Sequence, residues 1–328
     1  MTSANADPLV LDAQVHLNLI GPLEAGMAAM DAVGVNAVLI DEWWGYDDAG
    51  LRRPHFQLPN GAIRHLFPFA SEAAFRYPDR FAYTAWVDRN DPDLEEVIRA
   101  IAANPQQVCL RIVMRPENGD DVELENGGFD RLFDTAERHN VPAKIILPRV
   151  DQPRRTDLML PHMRKHEGMQ FIVDHCGVLR PSAADQARGM HNPALLEYAL
   201  AYASLPNVSV MWAKANTLSQ EPFPHDDIGR YLRRFIDEFG ADRILWGSDS
   251  TQTRGKDTWA QSLLYIQAST LITAEEKDWV LGKTAQRILG WPREESPYGD
   301  AFDVYEASTW RETEMHLANA SLNDRRRR

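Results

Sequence analysis

Short apolar runs alternate with helix-length amphipathic segments along most of this chain. Strands alternating with helices in this way are typical of parallel βαβ units. Helices are predicted from the apolar periodicity at 22–33, 94–103, 129–139, 193–204 and 226–239. Eight runs have the length of buried strands: 9–12, 36–40, 81–87, 108–114, 143–147, 170–174, 208–213 and 243–246. The pattern therefore predicts an α/β fold, a (β/α)8 barrel.

The alternative to a closed barrel is a doubly wound open sheet. No Gly-x-Gly-x-x-Gly sequence follows the first predicted strand, which disfavours that alternative. We expect residues 1–292 to form the barrel and residues 293–328 to form a polar C-terminal extension, with a weak helix at 303–322. The long segment 42–68 after the second strand is rich in aromatic residues, and we expect an ordered lid over the carboxyl end of the barrel.

The composition of the chain indicates which partners and which cellular compartment to expect. The net charge of −13 in 328 residues argues against nucleic acid or an anionic membrane as a partner. Only two cysteines occur, Cys109 and Cys176, which favours a reducing cytoplasm over a disulfide framework. No apolar stretch approaches the length of a membrane span, and the start of the chain does not resemble a signal peptide. We expect a cytoplasmic protein that acts on a small-molecule substrate. The C-terminal extension could pack across a second copy of the chain, so a homo-oligomer is kept as an alternative.

Three polar residues occupy alternate positions at the end of the first predicted strand: Asp12, Gln14 and His16. Because successive side chains of a strand point to opposite faces, we expect all three on one side, where a barrel interior would otherwise be apolar. The alternative is a strand end whose polar groups satisfy a turn. Their convergence favours a chemical site.

Asp249 and His175 end two further predicted strands. The first and eighth strands of a barrel are neighbours, so Asp249 should lie beside His16, where a carboxylate ligates a metal or takes a proton from water. Its structural alternative is a helix N-cap. His175 holds the equivalent position after the sixth strand, and Gly177 frees the turn there. Cys176 is interpreted as a buried small hydrophobe.

Long basic residues also lie in or just after the apolar strands: Arg111, Lys144 and Lys214. Such residues are costly to bury unless they are paired or face a polar cavity. They indicate an anionic or carbonyl-rich substrate, or an oxyanion that develops during the reaction. Each is equally well explained as an ion-pair partner of a nearby aspartate. Lys144 also admits a Schiff-base or carboxylated-lysine interpretation.

The ordered set of strand ends resembles the amidohydrolase-related TIM-barrel hydrolases, in the branch that contains sugar lactonases and 2-pyrone-4,6-dicarboxylate lactonase. The resemblance extends from about residue 11 to residue 291. It implies His16 and His175 as site residues and Asp249 as the carboxylate that activates water or ligates a metal. Four segments carry it, in the family's order: Asp12-Ala-Gln-Val-His16, Ile172-Val-Asp-His175-Cys-Gly177, Val210-Met-Trp-Ala-Lys214 and Ile244-Leu-Trp-Gly-Ser-Asp249.

Two departures from the family pattern concern metal binding. Gln14 replaces the first histidine of the usual His-x-His, and segment 143–147 lacks the histidine that metal-dependent decarboxylase relatives carry on the fifth strand. A neutral amide is a poorer ligand than imidazole for a transition metal. The pyrone-lactonase branch is understood to work without metal. The resemblance therefore favours a reaction that needs no cofactor. A single divalent ion such as zinc or manganese on His16 and Asp249 is the competing arrangement.

The sequence therefore predicts a hydrolase that opens a lactone or related cyclic ester of a small, carboxylated substrate. Asp249 would act as the general base on water, and His16 and His175 would polarise the carbonyl. Two alternatives stay open, a metal-dependent amidase or non-oxidative decarboxylase on the same barrel, and a catalytically inactive binding barrel. Substrate contacts are expected from Gln14, Arg111, Lys144, Lys214 and Trp43.

Overall fold

The fold is an eight-stranded parallel barrel, seen in a computed structural model of the chain. The structure describes residues 8–44, 54–114, 119–147, 154–177, 193–251 and 257–292. The predicted C-terminal extension and its weak helix lie outside these residues. The barrel strands are β1 (Leu11–Val15), β2 (Ala37–Ile40), β5 (Phe81–Trp86), β6 (Gln107–Val113), β7 (Ala143–Ile146), β8 (Phe171–Val173), β9 (Val208–Ala213) and β10 (Ile244–Gly247). Strands β3 (His55–Gln57) and β4 (Ile63–His65) form a separate two-stranded sheet between β2 and β5 in the chain. The predicted (β/α)8 barrel is confirmed, and each predicted strand overlaps an observed one.

The barrel closes between its first and last strands. The backbone N–H of Asp249 donates to the carbonyl oxygen of Gln14 at 2.8 Å. The backbone N–H of Ser248 donates to the carboxylate of Asp12, also at 2.8 Å. Because all eight strands are parallel, this closure brings their carboxyl ends together at one face of the barrel.

Helices surround the barrel. Their bounds are α1 (Leu23–Val33), α2 (Pro68–Arg76), α3 (Leu94–Ala103), α4 (Asp120–Glu125), α5 (Asp130–Arg138), α6 (Arg154–Lys165), α7 (Asp226–Phe239), α8 (Trp259–Gln267), α9 (Ala274–Asp278) and α10 (Thr284–Leu289). Shorter 3-10 turns span Leu17–Leu19, Asp174–Gly177, Ala215–Leu218 and Ala241–Arg243, and a π-helical turn spans Trp279–Lys283. The helix predicted at 193–204 is a 3-10 helix, Pro193–Tyr202, instead of an α-helix.

Apolar side chains fill both the barrel interior and the layer between strands and helices. Leu39, Ile172 and Leu245 are fully buried inside the barrel, in one cluster with Trp291. The indole N–H of Trp291 donates to the carbonyl of Pro78, just before β5. Trp291 therefore helps to close the end of the barrel opposite the carboxyl ends. Among the described residues, no helix has both the length and the apolar character needed to span a bilayer.

Candidate active site

Three polar residues follow the last three barrel strands in a left-handed backbone conformation. The φ angles of His175, Lys214 and Asp249 are 52°, 56° and 45°. Non-glycine residues rarely adopt such angles, and they persist where the surrounding structure fixes them, often at functional sites. The turn made by each residue directs its side chain to the same point at the mouth of the barrel.

Asp249 is the centre of this arrangement. Its Oδ2 lies 2.5 Å from Nζ of Lys214 and 3.2 Å from Nε2 of His175. Its Oδ1 lies 3.3 Å from Nε2 of His16. The predicted neighbourhood of Asp249, His16 and His175 is therefore present, and Lys214 joins it.

The surroundings keep the Asp249 carboxyl ionised. Burial alone would raise its pKa, because a charge is poorly solvated in the interior. The ammonium of Lys214 and the rings of His16 and His175 outweigh burial and hold the pKa of Asp249 well below its usual value. The result is a fully buried carboxylate that is charged at neutral pH.

The ring of His16 is fixed from its other side. Its Nδ1 lies 2.6 Å from the backbone oxygen of Asp41, which assigns the Nδ1 proton to that hydrogen bond and turns Nε2 toward Asp249. The ring of Trp43 packs against it at a centroid distance of 5.8 Å. Trp43 is itself held by hydrogen bonds to both ends of the Asn18 amide. His16 therefore faces the mouth in a single orientation.

A second polar group lies deeper in the barrel, around Arg111. Its Nε is 2.7 Å from Asp41 Oδ2 and its Nη1 is 2.9 Å from Asp174 Oδ2. Gln14 Oε1 accepts hydrogen bonds from Arg111 Nη1 at 3.1 Å and from Lys144 Nζ. The structure thus brings Gln14, Arg111 and Lys144 together, with each cation already bound by oxygen.

Charge coupling within this deeper group shifts several pKa values. Burial, followed by the nearby Arg111, lowers the pKa of the Lys144 ammonium. Burial opposes ionisation of Asp174, but His175, Arg111 and Lys144 together lower its pKa. His175 Nδ1 also lies 3.5 Å from Asp174 Oδ1, so His175 bridges the two carboxylates Asp174 and Asp249.

Asp41 was not predicted as a site residue. It directly follows β2, and its carboxylate binds Arg111 through one oxygen and the Thr84 hydroxyl and Trp86 indole N–H through the other. Sequence position carried the necessary signal, because Asp41 follows its strand just as Asp249 follows β10. Its side chain is fully buried.

The prediction that Asp12 shares a face with Gln14 and His16 is wrong. In the pairing of β1 with β2, Asp12 faces Val38 and Val15 faces Ile40, so β1 contains one extra residue between these pairs. The extra residue interrupts the alternation. Asp12 instead accepts hydrogen bonds from the Trp259 indole, at 2.8 Å, and from the Ser248 backbone. Burial raises its pKa to about 6.

The segment predicted as an irregular lid contains an antiparallel hairpin, β3 (His55–Gln57) and β4 (Ile63–His65). Arg64 fixes this hairpin to the loop after β5 through both oxygens of Asp91, at 2.7 and 2.8 Å. His65 packs edge-on against Trp86 at 5.9 Å. The hairpin forms an ordered wall beside the mouth. Residues 45–53 of the predicted lid lie outside the described residues.

The donor atoms at the mouth do not fit a divalent metal. His16, His175 and Asp249 supply suitable atom types, but Lys214 places an ammonium 2.5 Å from the carboxylate that would ligate the ion. Gln14 Oε1 faces two further cations. Within the described ranges, no group of three or more His, Cys, Asp or Glu side chains is placed to hold a metal. An ion on His16 and Asp249, the alternative that the sequence left open, would have to displace the Lys214 ammonium from this carboxylate.

The arrangement suits an addition of water to a carbonyl group. A buried carboxylate can accept a proton, while the Lys214 ammonium and the His175 imidazole lie where an oxyanion would need hydrogen-bond donors. Cys176 is buried, and burial raises its pKa well above the usual value, so its thiol is protonated and packs as a small apolar group.

Comparisons with known proteins give consistent relatives. Residues 37–291 match the model of a protein family described as Amidohydrolase. Over 189 residues the chain is 27% identical to L-fucono-1,5-lactonase of Burkholderia ambifaria, which covers 57% of this chain and 59% of that protein. The match thus spans less than two thirds of this relative's length.

Solved structures of similar shape include an amidohydrolase from Burkholderia multivorans with bound zinc, with a TM-score of 0.65 and 17% identity. A probable 2-pyrone-4,6-dicarboxylic acid hydrolase from Acinetobacter baumannii with bound citric acid gives a TM-score of 0.61 and 12% identity. Each likeness covers 87% of this chain and 100% of the other. At such identities the likeness establishes the fold.

Proposed function

Because this chain belongs to the amidohydrolase family, whose model matches most of it, we propose that it is a hydrolase that opens the ring of a lactone or related cyclic ester. The observation that carries the proposal is the buried Asp249 carboxylate with Lys214, His16 and His175 within 3.3 Å of its oxygens. The named relatives support it, since a sugar 1,5-lactone and a 2-pyrone are both cyclic esters.

In this mechanism Asp249 accepts a proton from water while the water oxygen attacks the ring carbonyl carbon. The carbonyl oxygen becomes an oxyanion, which the Lys214 ammonium and the Nε2–H of His175 stabilise. The tetrahedral intermediate then collapses and the bond from the carbonyl carbon to the ring oxygen breaks. The ring oxygen leaves as an alkoxide and takes the proton from Asp249. The product is a hydroxy acid.

Substrate binding increases the basicity of Asp249 in this proposal. Lys214 and the two histidines hold the pKa of Asp249 well below its usual value, and such a carboxylate is a weak base. A carbonyl oxygen that accepts hydrogen bonds from Lys214 and His175 withdraws those two donors from the carboxylate. The base therefore gains strength when a substrate is in place.

The test is a hydrolysis assay of the purified protein on five- and six-membered lactones, with proton release followed by a pH indicator. The same buffer without protein measures the spontaneous ring opening of each lactone. Turnover of one or more lactones above that background supports the proposal, and turnover of none of them rejects it. Amide substrates and release of carbon dioxide from aromatic acids, assayed in parallel, test the amidase and decarboxylase alternatives.

A further inference from the structure

Two carboxylates hold Arg111 from opposite sides. Asp41 binds its Nε at 2.7 Å and Asp174 binds its Nη1 at 2.9 Å. The guanidinium side chain is only 4% exposed, and both carboxylate side chains are fully buried. Buried ion pairs of this kind neutralise a cation that would otherwise attract an anionic ligand.

Neither carboxylate is free to turn away from Arg111. The other oxygen of Asp41 accepts hydrogen bonds from Thr84 Oγ1 at 3.2 Å and from Trp86 Nε1 at 3.1 Å. The other oxygen of Asp174 accepts the backbone N–H of His175 at 2.8 Å. An entering carboxylate would have to displace these bonds before it could bind Arg111.

Among the residues that the structure describes, the other two cations of this group, Lys144 and Lys214, also have oxygen partners. Lys214 binds Asp249 at 2.5 Å. The Lys144 ammonium donates a hydrogen bond to Gln14, and the negative charges of Asp174 and Asp41 stabilise its positive charge. With neutral histidines, the formal charges of the described site sum to zero. The members are the cations Arg111, Lys144 and Lys214 and the carboxylates Asp41, Asp174 and Asp249.

We propose that Asp41 and Asp174 determine substrate charge by neutralising Arg111, so that the site selects an uncharged lactone over one that carries a carboxylate. This inference rests on the proposed lactone hydrolysis and names its substrate class. The sequence alone indicated the opposite, a carboxylated substrate, because the three basic residues are visible in the sequence while their pairing is not. A carboxylate that enters beside Arg111 loses water and meets a guanidinium that two buried carboxylates already pair.

The experiment compares matched pairs of lactones with the same ring, in which one member carries a hydroxymethyl group and the other a carboxylate. D-glucono-1,5-lactone and D-glucaro-1,5-lactone form one such pair. The wild-type protein should open the uncharged member with a kcat/KM higher by about tenfold or more. A higher kcat/KM for the carboxylated members would overturn the inference and leave the proposed function standing. If no lactone is opened, both fail.

Charge-removing variants then test the assigned residues. Asp41→Asn and Asp174→Asn keep side-chain size and leave Arg111 with one carboxylate, so each should shift the kcat/KM ratio toward the carboxylated lactone by about tenfold. Thr84→Val, which removes a hydrogen bond to Asp41 without changing any charge, should leave the ratio unchanged. An unchanged ratio in both charge variants, with folding verified by circular dichroism, contradicts the role of the two aspartates. The wild-type comparison stands without any variant.

Discussion

Lys214 and Asp249 meet at the mouth of the barrel with Nζ and Oδ2 separated by 2.5 Å. The two residues follow neighbouring parallel strands, β9 and β10, and both have a positive φ. The same backbone turn at the end of each strand brings the two side chains together. The Lys214 side chain therefore supplies the positive charge next to the Asp249 carboxylate.

Asp249→Asn should reduce kcat on any lactone that the protein opens by about 100-fold or more, since an amide cannot accept the proton from water. The variant should remain folded, because the two side chains have nearly the same shape. Steady-state kinetics and circular dichroism measure the two effects. Asp31→Asn, which removes a surface ion pair with Arg80, is the matched control and should keep wild-type activity. Full activity in Asp249→Asn would reject Asp249 as the base.

Lys214→Met should move the acid limb of the pH profile to higher pH. Lys214 is the main group that lowers the pKa of Asp249, so its removal raises that pKa, and the ionised base is then lost at a higher pH as the solution is acidified. The measurement is kcat/KM from about pH 4 to about pH 8. Lys165→Met removes an exposed lysine that binds Asp130, and its profile should match the wild type. An unmoved acid limb in Lys214→Met would exclude this coupling.

The fold was predictable because apolar periodicity reports burial directly. β9 and α7 were predicted with their observed bounds, and the family and the barrel are confirmed. The cluster of His16, His175 and Asp249 was also predictable, since parallel strands of a barrel share one carboxyl face.

Side-chain pairing was less accessible to sequence reasoning. The extra residue in β1 leaves no mark in the hydrophobic pattern, so the departure of Asp12 from the site could not be read from alternation. Arg111 looked equally suited to a substrate or to an aspartate, because composition does not specify which oxygen it meets. The folded structure is what brings the two carboxylates to Arg111.

Trp259→Phe should destabilise the protein more at pH 8 than at pH 5. The Trp259 indole donates to Asp12, whose pKa is about 6, so the acceptor is mostly neutral at the lower pH and charged at the higher one. A hydrogen bond to a charged group is stronger, which gives a difference of about 1 kcal/mol between the two pH values. Urea unfolding at each pH measures it.

Trp246→Phe is the control for this comparison, since its indole donates to the neutral carbonyl of Ser262. Its cost should be the same at both pH values. If Trp259→Phe shows the same pH independence, Asp12 does not titrate in this range.

Arg64→Gln should loosen the β3–β4 hairpin. The variant loses the paired hydrogen bonds to Asp91 that fix the hairpin, while global stability should change little because Arg64 is partly exposed and water screens its ion pair. Hydrogen exchange should become faster in residues 55–65. Arg76→Gln removes a surface arginine paired with Glu72 and should leave hairpin exchange unchanged. Equal exchange in wild type and Arg64→Gln would show that other contacts fix the hairpin.

Incubation with a chelator should leave lactone turnover unchanged, because Lys214 supplies the positive charge at Asp249. The measurement is the rate before and after dialysis against EDTA, with the metal content of the same sample determined by mass spectrometry. A rate that falls on chelation and returns with added zinc would overturn this expectation.

The extra residue in β1 decides which side chains of the strand face the mouth of the barrel. Before it, Asp12 points outward and bonds the Trp259 indole, and after it, His16 points to Asp249 at the mouth. Deletion of a single residue at this point would restore the strict alternation of β1 and turn the His16 imidazole toward the helices. The reactive face of β1 is therefore set by how many residues the strand contains as well as by which ones they are.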